Sequence, residues 1–130
     1  MSLKVSGFSS AALDYKIVYY DNTSNPATDI QENVTGSSGR WYSITATNHS
    51  GSPIYVRLSD GSAPVIGTTA CDWQFFIPAK VNTVPTTKTI EVPGGVPFAT
   101  ALNFWTGGNA DPKSNVAPAS GGITVTIVTS

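Results

Sequence analysis

Cysteine, histidine and charge are all scarce in this chain, and each scarcity closes off a class of function. Cys71 and His49 are the single representatives of their types among 130 residues. A lone cysteine forms no intramolecular disulfide, and one cysteine with one histidine cannot supply the ligands of a zinc site. Charged side chains make up 12% of the residues, and the formal net charge is -1. The cations Lys4, Lys16, Arg40, Arg57, Lys80, Lys88 and Lys113 form no basic stripe, so no nucleic-acid binding by counterion release is expected. Leucine, a strong helix former, appears only at positions 3, 13, 58 and 102, which leaves little material for helices. No apolar run approaches membrane-spanning length, and no charged segment followed by an apolar one marks a secretion leader. No membrane partner is therefore expected. The protein is expected to be made in a cytoplasm, and to stay there or leave inside a larger assembly.

What is present suits extended chain. Apolar residues make up 40% of the sequence, enough for one modest core in a single domain. Val, Ile and Thr outnumber the strong helix formers, and 12 Gly and 9 Pro punctuate the chain. Between those breaks apolar and polar residues alternate with period two, as in strands with one buried face. RWYSITATN (40–48) puts Tyr42, Ile44 and Ala46 on one face, and IYVRLSD (54–60) does so with Ile54, Val56 and Leu58. The intervening HSGSP predicts a turn that makes these two strands a β-hairpin. CDWQFFIPA (71–79) alternates Trp73, Phe75 and Ile77 inward, and KTIEVP (88–93) is a short strand. GGITVTIVTS closes the chain with Ile123, Val125 and Ile127 on one side. KVNTVPTT (80–87) reads as loop or edge, because Pro85 cannot donate to a ladder.

The first 39 residues differ. LKVSGF and YKIVYY are strand candidates, whereas DNTSNPATDIQENVTGSSG (21–39) is polar and patternless. Loops of that length in compact domains tend to be functional or flexible. The expected organisation is an extended N-terminal arm or long excursion over 1–39, with one or two short strands, followed by a body at 40–130. Six strands at this spacing in the body predict an all-β fold, an antiparallel β-sandwich of jelly-roll type.

Catalytic constellations are hard to build from these residues. His49 sits in the NHSGSP turn, and no strained nucleophile elbow completes a Ser-His-acid triad. It reads as a solvated turn histidine. The acids Asp14, Asp21, Asp29, Glu32, Asp60, Asp72, Glu91 and Asp111 show no spacing that pairs two of them across a cleft. Asp60 before Gly61 and Asp111 before Pro112 are explained by turns. DNTSNPATD lacks the alternating oxygen ligands, central Gly and terminal Glu of a calcium loop. GTTA and GGNAD are not followed by Lys-Ser/Thr and a helix, so they are not phosphate cradles. No enzymatic activity, cofactor or metal is expected. Cys71 reads as a small buried residue beside Trp73, and the sequons at Asn22, Asn33 and Asn48 read as polar loops.

The aromatics carry the remaining options. VPGGVPFATALNFWTGGNAD (92–111) sorts as a strand, with Val96, Phe98, Leu102 and Phe104 on the core side. A helix starting near Pro97 and bounded by the two Gly-Gly pairs is the alternative. Parity places Trp41 and Trp105 opposite their strands' core residues, and Ala99 and Ala101 give a shallow surface beside Trp105. Trp41, Ala99, Ala101 and Trp105 are therefore the expected contacts with another subunit or partner, since interfaces enrich aromatic residues. A glycan platform built on Trp41, Trp105 or loop tyrosines competes with that reading.

Several local patterns point the same way. Leu58-Ser59-Asp60 with Ala63-Pro64-Val65-Ile66-Gly67-Thr68 is similar to an LYD…APxVGT segment, and Ile77-Pro78-Ala79 to an IPxPAG strand end. Gly95-Val96-Pro97-Phe98, Leu102 and Thr106-Gly107-Gly108-Asn109-Ala110-Asp111 resemble GxxFxxGLxxAxTGGxAD. Val116-Ala117 with Gly122-Ile123-Thr124-Val125 resembles a closing VAAGDxxVNLxY strand. In these respects residues 41–130 resemble a family of small β-rich proteins encoded among the virion genes of tailed bacteriophages. The chain departs from the pattern at Ser59, where the family has an aromatic, and in ending on Thr-Ser without the final aromatic. The motifs are turn-and-strand patterns, so they speak for shared fold more than for shared role. The resemblance implies a virion structural protein, above all a capsid decoration or cement protein. Such a protein assembles with itself, here expected as a homotrimer, and with the major capsid protein or other virion proteins at the capsid surface. A tail-fibre, baseplate or receptor-binding module that recognises a host-surface glycan is the alternative.

Overall fold

Alternation of buried and exposed residues is most regular in the last strand, where Ile123, Val125 and Ile127 are sealed while Thr124, Thr126 and Val128 are half-exposed. The computed structural model describes residues 2–9, 14–32 and 34–130, without the side chains of residues 2, 4–9, 14 and 15. Its strands are β1 (Ser2–Ser9), β2 (Asp14–Asn22), β3 (Gly39–Asn48), β4 (Ile54–Asp60), β5 (Trp73–Ile77), β6 (Thr86–Phe98), β7 (Leu102–Gly107) and β8 (Ile123–Thr129). They form a five-stranded sheet in the order β1-β2-β8-β3-β6 and a three-stranded sheet in the order β5-β4-β7. Every pairing is antiparallel. The all-β antiparallel sandwich expected from the alternation is the fold observed.

The core lies between the sheets. Val18, Tyr20, Ile44, Ala46, Val125 and Ile127 from the larger sheet meet Ile54, Val56, Leu58, Ile77, Leu102 and Phe104 from the smaller one. Burial of each large aliphatic or aromatic side chain contributes about 1.5–3 kcal/mol. Edge-to-face aromatic contacts cross the gap: Trp41 lies 6.0 Å from Trp73 and 5.7 Å from Phe75, and Tyr20 lies 5.2 Å from Phe104. Trp73 and Phe75 pack inward beside buried Ile77, as their spacing implies.

Two expected connections are different in the structure. β3 pairs with β6 and β8, whereas β4 pairs with β5 and β7, so HSGSP carries the chain between sheets and closes no hairpin. Alternation specifies which face of a strand is buried, not which strand lies beside it. Ile44 and Ile54 therefore share the core from opposite sides. The 92–111 stretch also divides. β6 ends at Phe98, residues 99–101 turn, and β7 begins in the other sheet, so this stretch is neither one strand nor a helix.

The first 39 residues supply β1 and β2, and β2 lies inside the larger sheet, paired with β8 from Lys16↔Thr129 to Asn22↔Ile123. Residues 23–38 make the long excursion, which returns to the body. Gln31 N donates to Phe104 O at 2.8 Å, Phe104 N donates to Gln31 O at 3.0 Å, and Val34 N donates to Leu102 O at 3.0 Å. These bonds cover the free edge of β7, which would otherwise offer unpaired backbone groups to other chains. All of β7 is buried.

One end of the sandwich is tied by asparagines. Asn22 and Asn48 end β2 and β3, and both are paired with Ile123 of β8. Asn22 Nδ2 donates to Ala27 O at 2.8 Å and to Thr106 Oγ1 of β7 at 3.0 Å. Asn48 Nδ2 donates to Ser52 O at 2.9 Å and to Ile77 O of β5 at 3.1 Å. Each amide reaches from the larger sheet to the smaller. Both are fully buried, so these two sequons are closed to modification in the folded chain. Asn33 lies outside the described residues.

Candidate functional site

The ladder between β3 and β6 passes from Ser43↔Glu91 to Trp41↔Val96, so Tyr42 stands opposite the looped-out residues 92–95 of β6. Gly94 and Gly95 adopt φ of 83° and 79°, a left-handed conformation that glycine takes without steric cost. Their VPGG sequence thus makes an enlarged bulge. The ring of Tyr42 rests on Gly95: a methyl group there would lie 2.7 Å from Tyr42 Cε1 and 2.9 Å from Arg40 Cβ. Arg40 Nη1 donates to Gly94 O and Gly95 O, both at 3.3 Å, and clamps the bulge from below.

Beside the bulge lies a shallow groove of about 310 Å³, lined by residues that include Tyr42, Ser43, Glu91, Pro93 and Val128, while Val92 packs against the core. That volume is at the lower end of the range ligand sites occupy. Its lining combines an aromatic ring, an aliphatic wall, a hydroxyl and a solvent-exposed carboxylate. None of these residues was expected as a site from the alternation. The legible signal was Gly-Gly after Pro93 inside a strand-like run, which marks a bulge or a close backbone approach.

The expected contact residues lie elsewhere. Trp41 is 2% exposed and Trp105 is 1% exposed. For Trp41 the bulge is the cause, because the register shift between Trp41 and Ser43 turns Trp41 to the same side as Ile44. Trp105 does point away from Phe104, but that outer face is covered. Its cross-strand partner Arg57 is fully buried beneath the segment that follows β7. Arg57 Nη2 donates to Asn109 O, and Arg57 Nε donates to Gln74 Oε1 at 2.7 Å. Gln74 Nε2 donates to Ala110 O at 3.0 Å, and Cys71 N donates to Pro112 O at 3.3 Å. Ala101 is 7% exposed, so Trp41, Trp105 and Ala101 have almost no surface to offer a partner. Ala99 is exposed, with its backbone N–H engaged by Asp60.

The titrating groups are set by these contacts. Backbone N–H groups, first that of Ala99 and then that of Thr100, hold the Asp60 carboxyl below its ordinary value. The Thr23 hydroxyl, donating at 2.5 Å, does the same for Asp21. Burial, with the charge of Asp29 second, pushes the Tyr20 phenol up. Burial lowers Arg57 and raises the half-buried Cys71 thiol, the latter despite the nearby Arg57 charge. A raised thiol is a poor nucleophile. His49 is half-buried in its turn, its backbone N–H donating to Gly122 O at 2.9 Å. Among the described residues no cluster of His, Cys, Asp and Glu is arranged to hold a metal. Comparison of the chain with protein-family models, with curated proteins and with solved structures gives no match.

Proposed function

We propose that the protein is a structural component of a tailed-phage virion, a decoration protein that assembles as a homotrimer on the capsid shell and stabilises it. The observation that carries this reading is the strand order. Without β1, the larger sheet reads β2-β8-β3-β6. The smaller sheet, extended by the 31–34 segment bonded to β7, reads 31–34, β7, β4, β5. We take this order as a jelly roll in which β2, the 31–34 segment, β3 and β4 cross between sheets in pairs and β8 returns between β2 and β3. Jelly rolls serve in viral capsids, in lectins and in cupins, and fold alone does not choose among them. The resemblance of residues 41–130 to virion proteins favours the first.

A bracing role is also supported by where the polar groups are spent. Asn22, Asn48, Arg57 and Asp60 each tie one segment to another, an arrangement suited to rigidity. With Trp41 and Trp105 inside, contact with the shell falls to exposed apolar side chains. Val81 and Val84, 66% and 64% exposed, flank a two-residue turn closed by reciprocal backbone bonds of 2.9 Å. A preformed tip between Lys80 and Lys88 loses little freedom on docking. A protein that binds only the assembled shell stabilises it by mass action.

The test mixes the purified protein with expanded capsids that lack it. Co-sedimentation and a raised capsid melting temperature are expected, both weakened in Val81→Ser/Val84→Ser, with a trimer in sedimentation equilibrium. Absence of both co-sedimentation and a melting shift would remove the proposal.

A further inference from the structure

Three buried polar atoms without a partner, Arg57 Nη1, Ser59 Oγ and Trp105 Nε1, belong to the outer face of the smaller sheet. Arg57 and Ser59 alternate with the core residues of β4, and Trp105 stands opposite Arg57 in the register of β4 with β7. Residues 108–117 cover this face as a strap, itself mostly exposed while Arg57 and Trp105 are sealed. The strap doubles back on itself: Gly108 N donates to Val116 O at 3.0 Å, and a methyl group on Gly108 would overlap Ala117 O. Arg57 is the unusual residue beneath it. Its Nε donates to Gln74 Oε1 and its Nη2 to Asn109 O, both neutral acceptors, and its Cζ lies 6.0 Å from the centre of the Tyr55 ring. Among the described residues no carboxylate forms an ion pair with it. Asp111 acts on Arg57 only through space, from an exposed position where its Oδ1 accepts from Lys113 N. The Cys71 thiol, raised by burial, carries no charge at neutral pH. A guanidinium stays protonated in a protein, and a buried charge is costly unless it is paired.

We infer that Arg57 binds a chloride-sized monoanion beneath the strap, with the Trp105 indole N–H as a second donor. The unspent groups select the ligand. Nη1 and Trp105 Nε1 are donors only, so they call for an acceptor, and the unpaired cation calls for one that is negatively charged. Nε and Nη2 are engaged. The one wholly free nitrogen suits a monatomic acceptor better than the two-oxygen fork with which carboxylate and phosphate take arginine. A phosphate dianion brings more charge than Arg57 offsets, and water would satisfy the donors while leaving the charge unpaired. The bonds that tie residues 109–112 to Arg57, Gln74 and Cys71 lie outside the ladder of either sheet, so the strap lifts to admit the ion and leaves the sandwich intact. The shell-binding tip at 81–84 takes no part in this site.

The experiment melts the full chain at constant ionic strength while sodium chloride replaces sodium gluconate, and follows the Trp105 indole N–H and the Gly107 amide by NMR in the same series. The expected result is a melting temperature that rises by several degrees and saturates, with saturating shifts of both signals. Arg57→Met, unbranched and uncharged, should abolish these responses. Trp105→Phe should weaken chloride affinity severalfold, as the loss of one hydrogen bond to a charged group does. Read at the Gly107 amide, it keeps the test valid if Arg57→Met does not fold. Three outcomes overturn the inference: no response to chloride in the wild type, which would leave water on the donors; tighter binding of acetate or phosphate than of chloride; or a chloride response unchanged in the variants that fold. Capsid sedimentation reads a different surface, so either proposal can fail without the other.

Discussion

Asp60 accepts backbone hydrogen bonds from Ala99 at 2.7 Å, Thr100 at 2.9 Å and Ala101 at 3.3 Å. Both carboxylate oxygens are used, so the charged form is favoured and the folded-state pKa lies below the unfolded one. The resulting stabilisation is fully present above the unfolded pKa of about 3.9 and is lost as pH falls through the folded value. Asp60→Asn turns one acceptor into an N–H facing a backbone N–H. It is expected to cost about 1–2 kcal/mol at neutral pH, with the gap to wild type closing below about pH 3.9. Urea midpoints measured at neutral and acid pH check both parts. Gly107 is a second residue with a long-range duty. A methyl group there would overlap Arg57 Nη1, in a site already closed by the Asn109 carbonyl. Gly107→Ala should destabilise by about 1–3 kcal/mol through overpacking, readable as a lowered melting temperature. Both residues were legible as turn or strand-end residues. Their partners were not, because local sequence encodes the tendency to turn and carries no address for a segment 40 residues away.

β6 owes its shape to two glycines. Gly95→Ala asks an L-residue to hold φ 79° and to fit a methyl group against Tyr42 and Arg40. The expected result is a loss of about 2–4 kcal/mol from backbone strain and steric overlap together. Gly51→Ala, at an exposed position with nothing within 4 Å of the added carbon, should leave stability almost unchanged. Thermal melting of the two variants side by side checks the contrast. Legibility at the scale of strands follows the regularity of the backbone. β8 and β4 read correctly because nothing interrupts their pleat. β3 failed at its first turn of alternation, since an enlarged bulge shifts parity and sent Trp41 inward. Pairing failed at HSGSP for a different reason: a five-residue connection between two amphipathic strands can close a hairpin or cross a sandwich, and both bury the same faces. The groove escaped notice because its chemistry depends on the bulge that alternation alone does not describe.

The two halves of the chain close on each other through β8, which lies between β2 and β3 and shares Ile123 with Asn22 and Asn48. Folding must therefore bring residues near the N-terminus, such as Lys16, against Thr129 before the central strand has two neighbours. Loop closure over such separations is entropically costly before contacts reward it, and sandwiches dominated by non-local pairing fold in about milliseconds to seconds. Single-domain refolding on that timescale is expected, with the amides of β8 and the β8-facing half of β3 exchanging only through global unfolding. Asn48→Ala should test whether the sheets unfold as one. It leaves Ile77 O without its side-chain donor and removes the Ser52 bond, a loss of about 1–3 kcal/mol. If the sandwich is one cooperative unit, that loss appears equally in the exchange rates of β8 and of β4, which lie in different sheets. Slower or unchanged exchange in β8 alone would mean that the larger sheet holds without the smaller. Hydrogen exchange in wild type and variant under native conditions decides between these, because only a shared global opening moves both sheets by the same factor.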